Sequence, residues 1–259
     1  MGKLRIAFDF FAAAAPRNWP GLAWYFTGWL LYRTTRIRLF HEQTLKFRTF
    51  SVVAGVEGLS GLAFLHEVMM RDIYRFPAIE QDERIGVVFD AGANCGFFTL
   101  TQAARHDRWR FFSFEPHPNT FRHLQKNITA NRLADRIMPI HAAVGATSGI
   151  CPLEVSSESS MAIVADSTAK FLKNPVKIDV RLCTLDEVSA AEEVKPDFLK
   201  IDVEGFEVEV LKGAVECLKT ARHVVLEYHS KELETECRRL LNDAGFQVIE
   251  KNGLLFAHR

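Results

Sequence analysis

The chain has 259 residues, 48% hydrophobic and 25% charged, enough for one well-packed α/β domain with a modest extension. Lys plus Arg and Asp plus Glu both count 32, so no global field points to nucleic acid as a partner. The five cysteines are odd in number and form no Cys-x-x-Cys pair, which argues against a full disulfide framework or a structural zinc site and suits a reducing, cytoplasmic compartment.

Residues 1–80 read as an accessory region and 81–259 as the ligand-binding domain. Within the first, Gly21 to Leu31 is apolar and rich in tryptophan, with Pro16 and Pro20 before it and Arg33 and Arg36 after it. A membrane-crossing helix needs about 20 such residues, more than this stretch supplies. No small-residue cleavage site follows, so a secretory signal is not expected. Two readings stay open. One is a helix packed on the domain or on the other subunit of a homodimer. The other is a membrane-surface contact through residues 19–38, with Trp19, Trp24 and Trp29 beside Arg33, Arg36 and Arg38. Ile37–Phe40 and Leu45–Phe50 predict a hairpin around Glu42-Gln43-Thr44; Gly55, Gly58 and Gly61 then precede a helix-like run, Leu62–Met70.

From Gly86 onward strands and helices alternate, which implies parallel strands joined by right-handed crossovers. Strands are expected at 87–90, 109–115, 137–141, 197–202 and 223–229, with helices near 97–105, 118–131, 206–219 and 231–244. The first strand ends at Asp90 and runs into a small-residue turn with Gly92, Ala93, Asn94 and Gly96. Such a turn brings a nucleotide-like ligand against bare backbone. Counted from Gly92, a dinucleotide fingerprint would place glycines where Asn94 and Phe97 stand. Asp90 would repel a pyrophosphate but suits a positively charged ligand, so the turn favours S-adenosylmethionine over NAD. The second strand ends in Glu115, 19 residues beyond Gly96, the spacing at which a carboxylate reaches both ribose hydroxyls. Pro116 follows it, and Ala142 and Ala143, after the third strand, should flank the adenine. His117 is expected to start the second helix, and Asn127 and Asn131 to cap its end. Residues 151–180 interrupt the alternation, as a hairpin extending the sheet edge or as a flap over the site. Phe246–Glu250 and Leu254–His258 flank an Asn-Gly turn, predicting a terminal hairpin.

If the ligand is S-adenosylmethionine and its methyl group passes to an oxygen, the reaction is an in-line displacement that requires a held acceptor oxygen and a proton acceptor. Lys200, Asp202 and Glu204 alternate with apolar residues at the end of the fourth strand, and Glu227 and His229 close the fifth. Asp202 or Glu204 is the candidate base or hydroxyl anchor. Lys200 is a further candidate, with an ion pair to Glu204 or Glu227 as its structural reading. His229 is a third candidate, because an ordinary imidazole titrates near neutral pH. Asp202, Glu204 and His229 are also the candidate ligands of a divalent cation such as Mg²⁺, which would acidify the acceptor hydroxyl.

Five blocks carry a wider likeness: Asp90-Ala-Gly-Ala-Asn-Cys-Gly96, Phe114-Glu-Pro-His-Pro-Asn-Thr-Phe121, Thr184-Leu-Asp-Glu187, Asp197-Phe-Leu-Lys-Ile-Asp-Val-Glu-Gly205 and Val225-Leu-Glu227. In these blocks and their order the chain resembles the FkbM family of S-adenosylmethionine-dependent methyltransferases. The resemblance implies a class I methyltransferase (Rossmann-like) α/β fold with a seven-stranded sheet of order 3-2-1-4-5-7-6. It also implies methyl transfer to an oxygen, often a hydroxyl of a small molecule, sugar, lipid-linked glycan or polyketide. An NAD-linked oxidoreductase is the alternative enzyme. A non-catalytic cofactor-binding or membrane-associated scaffold is the alternative from another class.

Overall fold

The computed structural model describes residues 3–55, 65–75, 79, 81–156, 162–164 and 175–259. Helices α1 (Lys3–Ala13) and α2 (Trp19–Thr35) come first, joined by a 3₁₀ turn at Pro16–Asn18. Pro20 lies in the first turn of α2, where its missing N–H is not needed, so the helix begins before the expected Gly21. Strands β1 (Glu42–Lys46) and β2 (Ser51–Gly55) pair antiparallel. A hairpin was expected here, but its turn is Phe47–Phe50 rather than Glu42–Thr44, closed by the Phe47 N–H donating to the Phe50 carbonyl at 2.9 Å. Burial of Leu45, Phe47, Phe50 and Val52 sets this register, since a one-residue slip would turn the apolar set outward. Of the helix expected at Leu62–Met70, residues 62–64 lie outside the described residues; Leu65 and His66 are helical and Glu67–Arg71 forms a π-helical turn.

The chain then alternates as β3 (Val87–Ala91), α3 (Phe97–Arg105), β4 (Arg110–Phe114), α4 (Pro118–Ala130) and β5 (Ile137–Ile140). Four strands of a second sheet follow: β6 (Ala143–Val144), β7 (Gly149–Ser156), β8 (Ala162–Val164) and β9 (Pro175–Cys183). The alternation resumes with α5 (Leu185–Ala191), β10 (Phe198–Ile201), α6 (Glu207–Lys212), α7 (Val215–Thr220), β11 (His223–Glu227) and α8 (Lys231–Asp243). The hairpin β12 (Gln247–Lys251) and β13 (Leu254–His258) ends the chain.

The main sheet runs β12-β13-β11-β10-β3-β4-β5, parallel except where β13 meets β11 and β12. Read from β5 this is the order 3-2-1-4-5-7-6, the class I methyltransferase fold. Its central strands are apolar on both faces because both faces are covered. Val88, Phe111 and Phe198 share one core with Phe10, Tyr25, Leu45 and Val52 of the N-terminal segments. Phe89, Phe112 and Leu199 face α5 to α8 through Leu185, Val210, Cys217 and Leu241.

Several expectations change in three dimensions. Asn127 and Asn131 do more than end a helix. Asn127 accepts from the Val53 N–H and donates to the Cys95 carbonyl, both at 2.7 Å, and Asn131 accepts from the Ser51 N–H at 2.7 Å. They satisfy an open edge of β2 that would otherwise lack partners. The expected helix 206–219 is broken into α6 and α7 at Gly213, where a Cβ would stand 2.0 Å from the Gly145 carbonyl oxygen. Residues 151–180 do not extend the main sheet: β6-β9-β7-β8 is a sheet of its own, with 157–161 and 165–174 outside the described residues.

Candidate active site

A cleft of about 680 Å³, open to solvent, lies beyond the carboxyl ends of β3, β4 and β10. Its walls are Gly92 and Asn94 of the glycine turn, Glu115 and Pro116 after β4, Ala142 to Val144, Leu153 of β7, and Asp202 to Glu204 with Phe206. The interrupting segment therefore supplies one wall through Leu153.

Gly92 has φ +77°, and a Cβ there would sit 1.7 Å from the Asp202 carbonyl oxygen. The glycine is thus demanded first by the neighbouring strand end, before any ligand arrives. Gly96 (φ +84°) starts α3 against Leu124. The Glu115 carboxylate accepts from the Asn94 N–H at 3.0 Å and the His117 N–H at 2.8 Å, locking the turn to β4. His117 then caps α4, as expected, by accepting from the Thr120 N–H.

Burial pushes the Glu115 pKa up to about 7, partly opposed by those two amide donors. Its folded pKa lies above the unfolded one. The stability this carboxyl contributes is therefore whole below pH about 4.5 and is lost as the pH rises through 7. Glu115→Gln cannot ionise, and its NH₂ must face one of the two amide donors. The variant is expected to melt below the wild type at pH 5, with the gap narrowing steadily towards pH 8. Melting curves showing a constant gap across that range would contradict this.

Asp90 is not at the cleft wall. It is fully buried, accepting from the Thr99 hydroxyl at 2.7 Å, with Lys200 Nζ 3.2 Å from its other oxygen. Asp90 and Lys200 are cross-strand neighbours in β3 and β10, so its charge is met from within the sheet rather than by a ligand. Lys200, also buried, donates to the Gly92 carbonyl at 2.7 Å and lies 3.6 Å from Asp202. Its expected partners, Glu204 and Glu227, are not the ones it pairs with. Burial alone would lower its pKa, but Asp90 and Asp202 outweigh that and raise it. Lys200 acts as a strut under the glycine turn and Asp202. Its ammonium does not line the cleft.

Asp202, Glu204 and His229 do come together, their ligand-capable atoms all within 4.8 Å of one another. β10 ends at Ile201 and Glu204 has φ +53°, so a turn, not strand alternation, aims the two carboxylates at the same histidine. His229 Nε2 is 3.2 Å from Glu204 and 3.9 Å from Asp202, while Nδ1 is 2.8 Å from Glu207. Burial opposes charge on this imidazole, but the Glu207 hydrogen bond and the surrounding carboxylates raise its pKa to about 9. A pKa raised this far favours the charged imidazole at neutral pH, which does not suit the ready base expected of it. Burial, then the Asp202 charge, raises the Glu204 pKa above its ordinary value.

Two members of this cluster lie outside the sequence-based expectation. Tyr74, buried ahead of the first sheet strand, has its hydroxyl 3.1 Å from Asp202 and 3.3 Å from Glu227. A phenol has one proton to donate. Burial pushes the Glu227 pKa up to about 7, so Glu227 can supply the second proton for part of the population. Glu207, fully buried at the start of α6, accepts from both the Gly205 N–H and His229, each at 2.8 Å. Tyr74 carried no motif. Glu207 could have been suspected from an acidic residue placed directly after the Gly205 turn.

The Methyltransferase FkbM domain matches residues 90–248. Among curated proteins, the hexuronic acid methyltransferase AglP of Haloferax volcanii is 30% identical over 67% of this chain and 68% of its own. The 31-O-demethyl-FK506 methyltransferase FkbM of Streptomyces tacrolimicus is 27% identical over 83% and 93%. Methyltransferase sdnD of Sordaria araneosa is 27% identical over 62% and 73%. With more than half of its length matched and the sheet order, glycine turn and strand-end carboxylate in place, the chain belongs to the FkbM family of S-adenosylmethionine-dependent methyltransferases.

Proposed function

We propose that the protein methylates a hydroxyl of a small-molecule or glycan acceptor, with Glu204 as proton acceptor and Asp202 as the anchor of that hydroxyl. The observation behind this reading is the pair of carboxylates at the cleft wall, bridged by the His229 cation. Relatives whose names specify a hexuronic acid and 31-O-demethyl-FK506 support an oxygen acceptor. S-adenosylmethionine, when bound, supplies an electrophilic methyl group. The residues present fit it. Each Glu115 oxygen takes one amide and keeps a lone pair for a ribose hydroxyl, Gly92 and Asn94 give the turn, and Ala142 to Val144 form an apolar wall for a purine. His229 holds Glu204 in place, while Tyr74 and Lys200 hold Asp202.

The test of the acceptor class is the product: a labelled methyl carried on an alkali-stable ether supports the reading, and an ester or N-methyl product overturns it. Cofactor recognition is tested separately. Glu115→Ala removes charge-assisted hydrogen bonds worth about 1.5–3 kcal/mol. It is expected to weaken S-adenosylhomocysteine binding by at least ~10-fold. Calorimetry on a folded variant with unchanged affinity would remove Glu115 from the ribose site.

A second reading is favoured by Glu207. A histidine whose Nδ1 is tied to a carboxylate and whose Nε2 faces two more is the arrangement seen around metal ions. If a divalent cation sits among Asp202, Glu204 and His229, the imidazole ligand favours Mn²⁺, Fe²⁺ or Zn²⁺ over the Mg²⁺ first expected. Activity lost on chelation and restored by one of these ions would select this reading; activity indifferent to chelator would reject it.

A further inference from the structure

Helix α2 is apolar on the side that meets the protein and also on the side that does not. Leu22, Tyr25 and Gly28 face inward, with Tyr25 fully buried. Trp19, Ala23, Trp24, Thr27, Leu30 and Thr34 are exposed; at 3.6 residues per turn they share an outward stripe roughly 140° wide. Trp24 is 51% and Leu30 58% exposed, and Phe8 on the adjoining α1 is 72% exposed. An exposed stripe of this length with no charge is abnormal for a helix that faces water.

Three of the polar groups on this stripe are already satisfied from within. The Thr27 hydroxyl donates to the Ala23 carbonyl at 2.8 Å and the Thr34 hydroxyl to the Leu30 carbonyl at 3.0 Å. Trp19 Nε1 donates to the Phe11 carbonyl at 2.9 Å. Side-chain hydroxyls bonded back along their own helix suit a hydrocarbon contact, because they ask nothing of the medium.

Charge selects the same occupant. Up to residue 41 the chain carries Lys3, Arg5, Arg17, Arg33, Arg36 and Arg38 against one acid, Asp9, in a protein whose total charge is zero. Asp9 is engaged by His66 at 2.7 Å. Arg17 precedes the stripe and Arg36 and Arg38 follow it, all three exposed, so cations bracket the apolar surface at both ends. Among the described residues no helix is long and apolar enough to cross a membrane. A short apolar stripe bracketed by arginines and carrying tryptophans lies in the headgroup region instead.

We infer that the outer face of α2, with Phe8 of α1, is a docking surface for an anionic lipid bilayer, on which the protein lies without spanning it. The inference is independent of the methyl acceptor and of the residues that act on it.

The full-length protein is mixed with phosphatidylcholine vesicles with and without 30% phosphatidylglycerol, and bound protein is measured by flotation. Binding is expected to the anionic vesicles, to weaken with added salt, and to fall by at least tenfold in Trp24→Glu/Leu30→Glu. Arg36→Glu/Arg38→Glu is expected to reduce both the binding and its salt dependence. S-adenosylhomocysteine affinity should stay unchanged in both variants, since these side chains lie away from the cleft, and it reports that the methyltransferase domain is folded. In the wild type, lipids brominated along their acyl chains are expected to quench tryptophan fluorescence, a readout that needs no variant. Absence of wild-type binding to anionic vesicles overturns the inference. So does a wild-type dimer in sedimentation velocity that Trp24→Glu/Leu30→Glu dissociates, because a second copy of the chain would then be what covers the face.

Discussion

Asp202→Asn and Glu204→Gln are expected to bind S-adenosylhomocysteine as the wild type does and to lose turnover by about 10²–10⁴, the usual contribution of a general base. The two should differ in kind. Glu204 is the more exposed carboxylate and among the described residues is paired with His229 alone, so its amide is expected to cost catalysis with little loss of melting temperature. Asp202 is also hydrogen-bonded by Tyr74 and lies near Lys200, so Asp202→Asn should lower stability as well. A metal would be revealed by chelator sensitivity in the wild type. Full activity in both variants, measured on folded protein, would remove the carboxylates from the chemistry.

Lys200→Met is expected to be the most destabilising single change at the site. The ammonium is the cation between fully buried Asp90 and partly buried Asp202, and it also donates to the Gly92 carbonyl. Taking one partner from a buried ion pair typically costs about 3–5 kcal/mol, because the remaining charge is left in a medium that cannot solvate it. Denaturant unfolding is the measurement. Adding Asp90→Asn to Lys200→Met should recover part of the loss, since the stranded carboxylate is then neutral and can still accept from Thr99. A single variant that loses less than about 1 kcal/mol would mean that Lys200 is not what holds the buried Asp90 in place.

Much of the fold is legible in the chain because its signals are local. Runs such as Val87-Val-Phe-Asp and Phe198-Leu-Lys-Ile are apolar enough for buried parallel strands, and the turns between strands and helices carry their own glycines and caps. The Asn-Gly hairpin at the end needs no long-range partner to be recognised, and it forms where expected. Glu115 was readable from its distance to the glycine turn, which strand and helix lengths constrain.

What the chain by itself determined is therefore the order of strands and helices, the place of the cleft at their carboxyl ends, and part of its border, Gly92, Asn94, Glu115 and Ala142 among them. Only the tertiary structure decided which charge answers which. Asp90 and Lys200 are neighbours through the β3–β10 register although more than 100 residues separate them, and that pairing takes Asp90 away from the ligand it was expected to meet. Tyr74 reaches Asp202 from 128 residues away, and the hydrogen bond to Glu207 raises the pKa of His229. The reason is physical: hydrophobic periodicity is written along the chain, whereas a buried group's protonation depends on the few ångströms around it, which the pairing of distant strands creates.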